Sequence, residues 1–215
     1  MKLHPSIPTV LAFAAAGLAA AACQKPGNQA ASGAPAAQAA AGDSLPVVVL
    51  ETTKGRIVIQ LDRNKAPKTV ANFLEHVNAH FYDGLVFHRV ERGFVIQAGI
   101  LTASGMERTS SAPPVPNEAD NGLKNVRGTV ALARTYDPQS GGVQFYINLG
   151  NNSTRGLDFK AKTVKDWGYC VFGRVTDGMD VVDRIAAVPV TQQGNYANIP
   201  VEPVVMTRVY VETAK

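Results

Sequence analysis

Cysteine is scarce in this sequence, with two residues among 215. Cys170 is the single cysteine in the part of the chain that we expect to fold, so an internal disulfide is excluded there. A lone cysteine within a strand pattern is most simply a small buried apolar residue. We therefore expect a domain without disulfides.

The sequence also lacks the residue clusters of several functional classes. The net charge of +4 is modest and the cations are scattered, so nucleic-acid binding is not indicated. His76 and His80 lie one helical turn apart, but with no third ligand nearby they predict solvated histidines at a helix end, not a zinc site. No Ser-His-Asp elbow or phosphate-cradling glycine loop is present. We therefore expect no metal, no cofactor and no nucleophilic chemistry.

The N-terminal apolar run is short and rich in alanine. Lys2 precedes it, residues 7–18 carry the apolar side chains, and small residues follow up to Ala22, which is the arrangement of an export signal. A retained N-terminal anchor helix is the alternative, although the run is too short to favour a membrane span. We predict a signal peptide over residues 1–22.

Cys23 directly follows Ala20-Ala21-Ala22, and this arrangement resembles the lipobox of bacterial lipoproteins. The resemblance implies that Cys23 becomes the lipidated first residue of the mature protein, although Ala20 stands where leucine is usual. In bacterial lipoproteins the residue after the cysteine directs sorting, and Gln24 in place of aspartate implies anchoring in the outer membrane, facing the periplasm. Ordinary signal cleavage, leaving a free cysteine, is the alternative.

Residues 23–45 are dominated by Ala, Gly, Gln, Pro and Ser. Such a segment buries too little apolar surface to offset its ordering entropy, so we predict a flexible tether. The folded part then occupies residues 46–215, a length typical of a single domain.

Eight extended and two helical segments are predicted in that domain. Val70, Phe73, Leu74 and Val77 have helical spacing, which predicts a helix over 68–78, and a second short helix is expected over 179–186. Predicted strands span 47–53, 56–61, 86–90, 94–99, 128–134, 143–149, 169–175 and 204–211. The long segment 101–127 is expected to be an ordered loop. This spacing favours a closed eight-stranded antiparallel β-barrel capped by two α-helices.

Several motifs in this domain resemble, in order, those of the cyclophilins. They are Phe87-His88-Arg89-Val90, Gly93-Phe94-Val95-Ile96-Gln97, the loop 117–123, and the segments 127–134, 144–148 and 171–175. The Asn-Glu-Ala-Asp-Asn-Gly-Leu loop at 117–123 is similar to that of bacterial periplasmic members. The resemblance covers residues 47–211. It implies a barrel with two helices and peptidyl-prolyl cis-trans isomerase activity on proline-containing segments of exported proteins.

The resemblance also implies roles for individual residues. Arg89 matches the catalytic arginine, and His88 beside it is expected to be a structural hydrogen-bonding residue. Five residues match the proline pocket: Phe94, Val95, Tyr146, Leu157 and Tyr169. Four more are expected to hold the substrate backbone or orient the arginine: Gln97, Gln144, Ala133 and Arg134. For Arg134 only a main-chain role is implied, because asparagine is common there.

Departures from the family pattern surround this site. Tyr146 replaces a usual phenylalanine and adds a hydroxyl, Val95 stands where methionine is common, and Ala98 replaces a glycine. Gly156 lies nearest to the position of the tryptophan that contacts cyclosporin in eukaryotic members, so weak cyclosporin binding is expected. The alternative function is a membrane-tethered chaperone module that binds proline peptides with little turnover, and a monomer is expected in either case. Arg89 beside Phe94 and Gln97 favours the enzyme, because binding alone needs no transition-state donor.

Overall fold

A computed structural model describes residues 45–212 of the chain. The predicted signal peptide, Cys23 and nearly all of the predicted tether lie outside the described residues. Within them are ten strands, two α-helices and two short 3₁₀ helices. Neither α-helix in this range is long and apolar enough to cross a membrane.

The elements follow one another along the chain with short connections except at the segments 103–128, 133–144 and 149–170. The α-helices are α1 (Pro67–Asn78) and α2 (Met179–Ala186), and the 3₁₀ helices are Ala119–Asn121 and Ser153–Arg155. The strands are β1 (Val47–Thr52), β2 (Gly55–Leu61), β3 (Leu85–Glu91), β4 (Val95–Thr102), β5 (Thr129–Leu132), β6 (Phe145–Asn148), β7 (Val171–Asp177), β8 (Val190–Gln193), β9 (Tyr196–Pro200) and β10 (Met206–Val211).

Eight of these strands form one antiparallel sheet in the order β10-β1-β2-β7-β5-β6-β4-β3. Its two edges meet, because Val86 pairs with Val205 and the backbone N–H of Phe87 donates to Val204 at 3.0 Å. The sheet therefore nearly closes on itself. The predicted eight-stranded barrel with two helices is confirmed, and the predicted strand ends differ from the observed ones by up to three residues.

The apolar faces of the two helices are buried in the core of the barrel. Pro67 opens α1, where its missing N–H costs no hydrogen bond. Phe73, fully buried on α1, lies 5.1–5.3 Å from the rings of Tyr82, Phe145 and Phe172. Burying a side chain of this kind contributes about 1.5–3 kcal/mol, so this cluster holds α1 firmly against the sheet.

The two helix-end histidines have different environments. His80 is exposed and lies 3.1 Å from a carboxylate oxygen of Asp83, as expected of a solvated residue. The prediction for His76 is wrong: its ring is buried, with Nδ1 2.8 Å from the carbonyl oxygen of Asn72 and Nε2 2.8 Å from the Ser110 hydroxyl. The long loop packs over the end of α1 and supplies Ser110, which sequence spacing does not reveal.

The hairpin of β8 and β9 was not predicted. Gly194, at φ +56°, and Asn195 form its two-residue turn, a Gly-Asn pair that is a recognised hairpin signal. Cys170 is buried, as expected, and burial raises the pKa of its thiol to about 12.

Candidate active site

Five side chains form a row across the outer face of five neighbouring strands. Arg89 on β3 pairs with Gln97 on β4, and Gln97 pairs with Tyr146 on β6. Tyr146 pairs with Ala131 on β5, which pairs with Val171 on β7. Because strand side chains alternate between faces, residues two positions away from this row lie on the same face. The site is thus built on the rigid wall of the barrel.

A β-bulge turns Arg89 towards this outer face. Phe87 and Val90 both pack in the barrel core although they are three positions apart, which strict alternation would forbid. The register of β3 against β4 shifts between Phe87 and Arg89, where two residues span one step of the partner strand. The extra residue leaves both His88 and Arg89 outside the core, as bulges beside active sites commonly re-aim a side chain.

A pocket of about 260 Å³ lies on this face. Its apolar wall is a cluster separate from the barrel core, containing Val95, Ala131, Tyr146 and Val171 with Phe94, Leu157 and Tyr169 packed against it. The pocket is lined by Arg89, Phe94, Val95, Gln97, Ala133, Arg134, Tyr146, Leu157 and Tyr169. The structure thus brings together nine of the eleven residues singled out within the domain. Gln144 and His88 do not line the pocket, although Gln144 accepts a hydrogen bond from Gln97.

A chain of polar groups fixes the guanidinium of Arg89 at the pocket. Its Nη2 lies 2.5 Å from the carboxylate of Glu91, and its Nη1 donates to Oε1 of Gln97 at 3.4 Å. Nε2 of Gln97 donates in turn to Oε1 of Gln144 at 2.9 Å. The guanidinium also lies 5.5 Å from the centre of the Phe94 ring, a cation–π distance. Glu91 was not singled out from the sequence, where its spacing of two from Arg89 on a strand was the available signal.

His88 is buried beside the site without lining the pocket. It is 3% exposed, its ring lies 5.9 Å from that of Tyr196, and its Nδ1 has no hydrogen-bonding partner among residues 45–212. Burial lowers the pKa of His88 to about 4, with the adjacent Arg89 acting in the same direction. His88 is therefore neutral near pH 7.

Asn125, which sequence reasoning did not single out, is the hub of the hydrogen bonds behind the pocket. Its Nδ2 donates to the carbonyl oxygens of Leu157 at 3.1 Å and Tyr169 at 3.4 Å. Its Oδ1 accepts from the Tyr146 hydroxyl at 2.8 Å and from Nδ2 of Asn148 at 3.3 Å. The Tyr146 hydroxyl thus points into the protein interior, whereas the resemblance to the family predicted it at the pocket. One fully buried side chain ties three pocket-lining residues together.

The side chain of Arg134 lines the pocket, although only a main-chain role was expected. Its guanidinium lies 4.5 Å from the centre of the Tyr169 ring. Nε donates to the carbonyl oxygen of Gly168 at 2.9 Å, and Nη1 to that of Thr135 at 2.9 Å. These contacts hold the group in one orientation over the ring.

The substitution of Ala98 does not reach the pocket, because its side chain is fully buried in the barrel core. The next residue, Gly99, cannot be replaced as easily. A Cβ at Gly99, where φ is +122°, would lie 2.5 Å from the carbonyl oxygen of Val143. The close approach of β4 to the segment before β6 therefore depends on glycine at 99, while position 98 accepts alanine.

Among residues 45–212 no group of three or more His, Cys, Asp or Glu side chains could hold a metal ion. The structure thus combines an antiparallel barrel with an apolar pocket beside an arginine on its outer face. Comparison with known proteins assigns the family.

The sequence profile described as "Cyclophilin type peptidyl-prolyl cis-trans isomerase/CLD" matches residues 47–211. Peptidyl-prolyl cis-trans isomerase cyp18 of Streptomyces antibioticus is 47% identical over 171 residues, covering 80% of this chain and 98% of the relative. Peptidyl-prolyl cis-trans isomerase B of Escherichia coli (strain K12) is 45% identical over 165 residues, covering 77% and 99%. A solved cyclophilin-type isomerase of Cryptosporidium parvum has a TM-score of 0.64 at 20% identity, covering 80% of this chain and 99% of that one, which supports the fold.

The chain belongs to the cyclophilin-type peptidyl-prolyl cis-trans isomerases. It is accordingly an isomerase of the EC 5.2.1.8 class, and members of this family bind proline-containing peptides.

Proposed function

We propose that Arg89 accelerates rotation about an X-Pro bond by donating a hydrogen bond to the prolyl nitrogen in the twisted transition state. Rotation is slow because amide resonance is lost as the bond twists, a barrier of about 18–20 kcal/mol. The nitrogen then becomes pyramidal and regains a lone pair. A guanidinium placed beside it interacts more strongly with this state than with either planar isomer, which is the condition for catalysis. No covalent bond changes and no net proton transfer is needed.

The observation that carries this proposal is the position of the guanidinium at the edge of an apolar pocket. Phe94, Val95, Tyr146, Leu157 and Tyr169 would hold the proline ring, because they supply rings and branched side chains around one hollow. Arg89 lies at the same hollow and is held by Glu91 and Gln97, so its donor groups are oriented before substrate arrives.

The remaining residues would position the substrate and the arginine. Gln97 contacts both Arg89 and Gln144, so the two amides orient the guanidinium and present polar groups to a peptide backbone. The main chain at Ala133 and Arg134 borders the pocket, where an extended peptide would lie alongside it. His88 is assigned a structural role, because it is neutral and a donor to the substrate is already present in Arg89.

Replacement of Arg89 by alanine tests the donor role. Losing one donor aimed at a transition state costs about 10²–10³ in rate, so kcat/KM for a peptide such as Ala-Ala-Pro-Phe should fall by that factor, measured by NMR exchange. Arg208→Ala is a matched control, since Arg208 also lies over an aromatic ring, that of Tyr210 at 4.6 Å, but on β10 outside the pocket. A loss below tenfold in a folded Arg89→Ala variant would contradict the donor role.

We further propose that the chain is exported to the periplasm and anchored to the outer membrane through lipid on Cys23. Residues 23–45 then act as a tether for a monomeric isomerase domain, residues 46–215, that acts on exported proteins. The support is the order of charge, apolar run, small residues and cysteine in the sequence. Labelled fatty acid should enter the unaltered chain in a Gram-negative host and not a Cys23→Ala variant. An unlabelled mature chain would instead indicate ordinary cleavage.

Weak cyclosporin binding is part of the same proposal. Gly156 offers no side chain beside Leu157, and the indole of Trp167 donates to the carbonyl oxygen of Asn117 at 3.2 Å, away from the pocket lining. Fluorescence titration should give a dissociation constant for cyclosporin well above the nanomolar range, and a nanomolar value would refute this expectation.

A further inference from the structure

The pocket is lined by two guanidinium groups and by no carboxylate. Of its nine lining residues, Arg89 and Arg134 are cationic, and none is Asp or Glu. The charge of Arg89 is balanced by Glu91. Arg134 has no carboxylate partner among residues 45–212, because its hydrogen bonds go to the carbonyl oxygens of Gly168, Thr135 and Tyr136. Its Nη2 is left without a hydrogen bond among these residues.

A third guanidinium, that of Arg155, lies over the ring of Phe94, one of the residues that line the pocket. Arg155 is exposed at the end of the Ser153–Arg155 turn, and its guanidinium is 5.2 Å from the centre of the Phe94 ring. Within residues 45–212 it also has no carboxylate partner. Arg134 over Tyr169 and Arg155 over Phe94 therefore place positive charge without a carboxylate partner against two aromatic residues that line the pocket.

The nearest acidic side chains along the chain are engaged elsewhere. Asp158 is 8% exposed and accepts hydrogen bonds from the backbone and side chain of Asn125, with Lys124 at 3.5 Å from its second oxygen. Asp137 accepts the backbone N–H of Gln139 at 2.9 Å. The positive charge at the pocket is thus available to a ligand.

We propose that Arg134 and Arg155 make this isomerase selective for segments that carry an acidic side chain next to the proline. The inference rests on the proposed function, in which this pocket holds the proline ring. A guanidinium presents donors in a planar fork that matches a carboxylate, and both groups are stacked on rings, so little rotamer freedom is lost on binding. Arg134 also borders a second hollow that shares Gln97 and Ala133 with the pocket and is lined by Gln144, so it can contact residues beside the proline.

The expected effect is modest, because the rim of the pocket is exposed to solvent. Exposed ion pairs contribute about 0.2–1 kcal/mol each, so two arginines should favour a glutamate peptide over its glutamine isostere by about 2–30-fold in kcat/KM. The preference should shrink towards unity in about 0.5 M salt, since the Debye length there is only a few ångströms.

The test compares Ala-Glu-Pro-Phe, Ala-Gln-Pro-Phe and Ala-Lys-Pro-Phe by NMR exchange with the full chain at low salt. A second set with the charge after the proline, Ala-Ala-Pro-Glu and Ala-Ala-Pro-Gln, locates the favoured side. The measured quantity is the Glu to Gln ratio within each variant, so a change in overall activity divides out. Arg134→Gln and Arg155→Gln should each lower the ratio about 1.4–5-fold. Arg208→Gln removes the same charge far from the pocket and should leave it unchanged.

Equal rates for the Glu and Gln peptides in both sets, with the unaltered chain turning both over, would overturn the selectivity. A ratio that survives in the Arg134→Gln, Arg155→Gln double variant would overturn its assignment to these arginines. Failure of the underlying mechanism has a different signature, namely Arg89→Ala retaining full activity on the Gln peptide.

Discussion

Replacing Asn125 by alanine should leave the buried Tyr146 hydroxyl without a hydrogen-bond partner. In the Asn125→Ala protein we therefore expect Tyr146→Phe to leave the free energy of unfolding unchanged or to raise it. The hydroxyl is buried and its hydrogen bond goes to Oδ1 of Asn125 at 2.8 Å. Burial raises the pKa of Tyr146 well above its ordinary value, so the group is a protonated donor throughout the assay range. Its partner therefore decides what its burial costs.

The magnitude follows from which groups lose every partner. In Asn125→Ala, Asn148 keeps Thr129 at 2.9 Å and the Leu157 carbonyl keeps the Tyr169 N–H at 2.9 Å, but the Tyr146 hydroxyl keeps nothing. An orphaned buried group costs about 1–3 kcal/mol, so the stranded hydroxyl should lower the free energy of unfolding by that amount. The hydrogen bonds that the Asn125 side chain makes to Leu157, Asp158, Tyr169 and Asn148 are lost as well and add to the drop. Tyr146→Phe alone should cost about 1 kcal/mol, because Asn125 still accepts from Asn148.

Urea unfolding of the four proteins in this double-mutant cycle measures the coupling. The double variant should be more stable than the sum of the single losses predicts, by about 1–3 kcal/mol, because phenylalanine removes the stranded hydroxyl. Most domains have 5–15 kcal/mol of stability, so all four should remain folded. Additivity within about 0.5 kcal/mol would refute the assignment of Asn125 as the partner on which Tyr146 depends.

Two further predictions concern the barrel around the site. His88 should lower the free energy of unfolding by about 2.5 kcal/mol between pH 6.5 and pH 4. The reason is that the folded protein holds His88 neutral, with its pKa lowered to about 4, while the unfolded chain takes up the proton near 6.5. Urea titrations at several pH values should show a flatter dependence of the free energy of unfolding on pH in His88→Gln. Replacement of the exposed His80 by glutamine should leave this dependence unchanged. An unchanged dependence in His88→Gln would contradict the reasoning. Gly99→Ala should lower stability by more than 2 kcal/mol, since its Cβ would lie 2.5 Å from the Val143 carbonyl oxygen. Gly93→Ala, also at positive φ but with nothing within 4 Å of its Cβ, should cost only about 1 kcal/mol, and equal losses would show that the close approach is unimportant.

Most of the fold could be predicted because its signals are local. Period-two alternation in β2 and the spacing of Val70, Phe73 and Val77 in α1 follow directly from which face each element buries. The hairpin of β8 and β9 was missed because its first strand is exposed throughout and has no alternation to detect. The predicted strand ends differ from the observed ones because a strand ends where hydrogen bonding to its neighbouring strand ends, which its own residues do not show.

The candidate site was predicted in its membership but not in its construction. Motif order along the chain was enough to select the nine residues that now line one pocket. It did not show that Arg134 turns its side chain into that pocket, or that Asn125 joins its walls. Those outcomes depend on contacts with segments more than 30 residues away, such as Gly168 and Leu157.

The sequence by itself determined the barrel class, the two helices and the residues that gather at the site, because alternation, helical spacing and ordered motifs are properties of neighbours along the chain. Only the tertiary structure decided where individual side chains point. The burial of His76 under the long loop and the stacking of Arg134 on Tyr169 arise where segments distant along the chain pack together. The bulge at His88 and Arg89 arises from the pairing of β3 with β4. Packing and hydrogen-bond satisfaction between such segments set these orientations, and no local pattern encodes them.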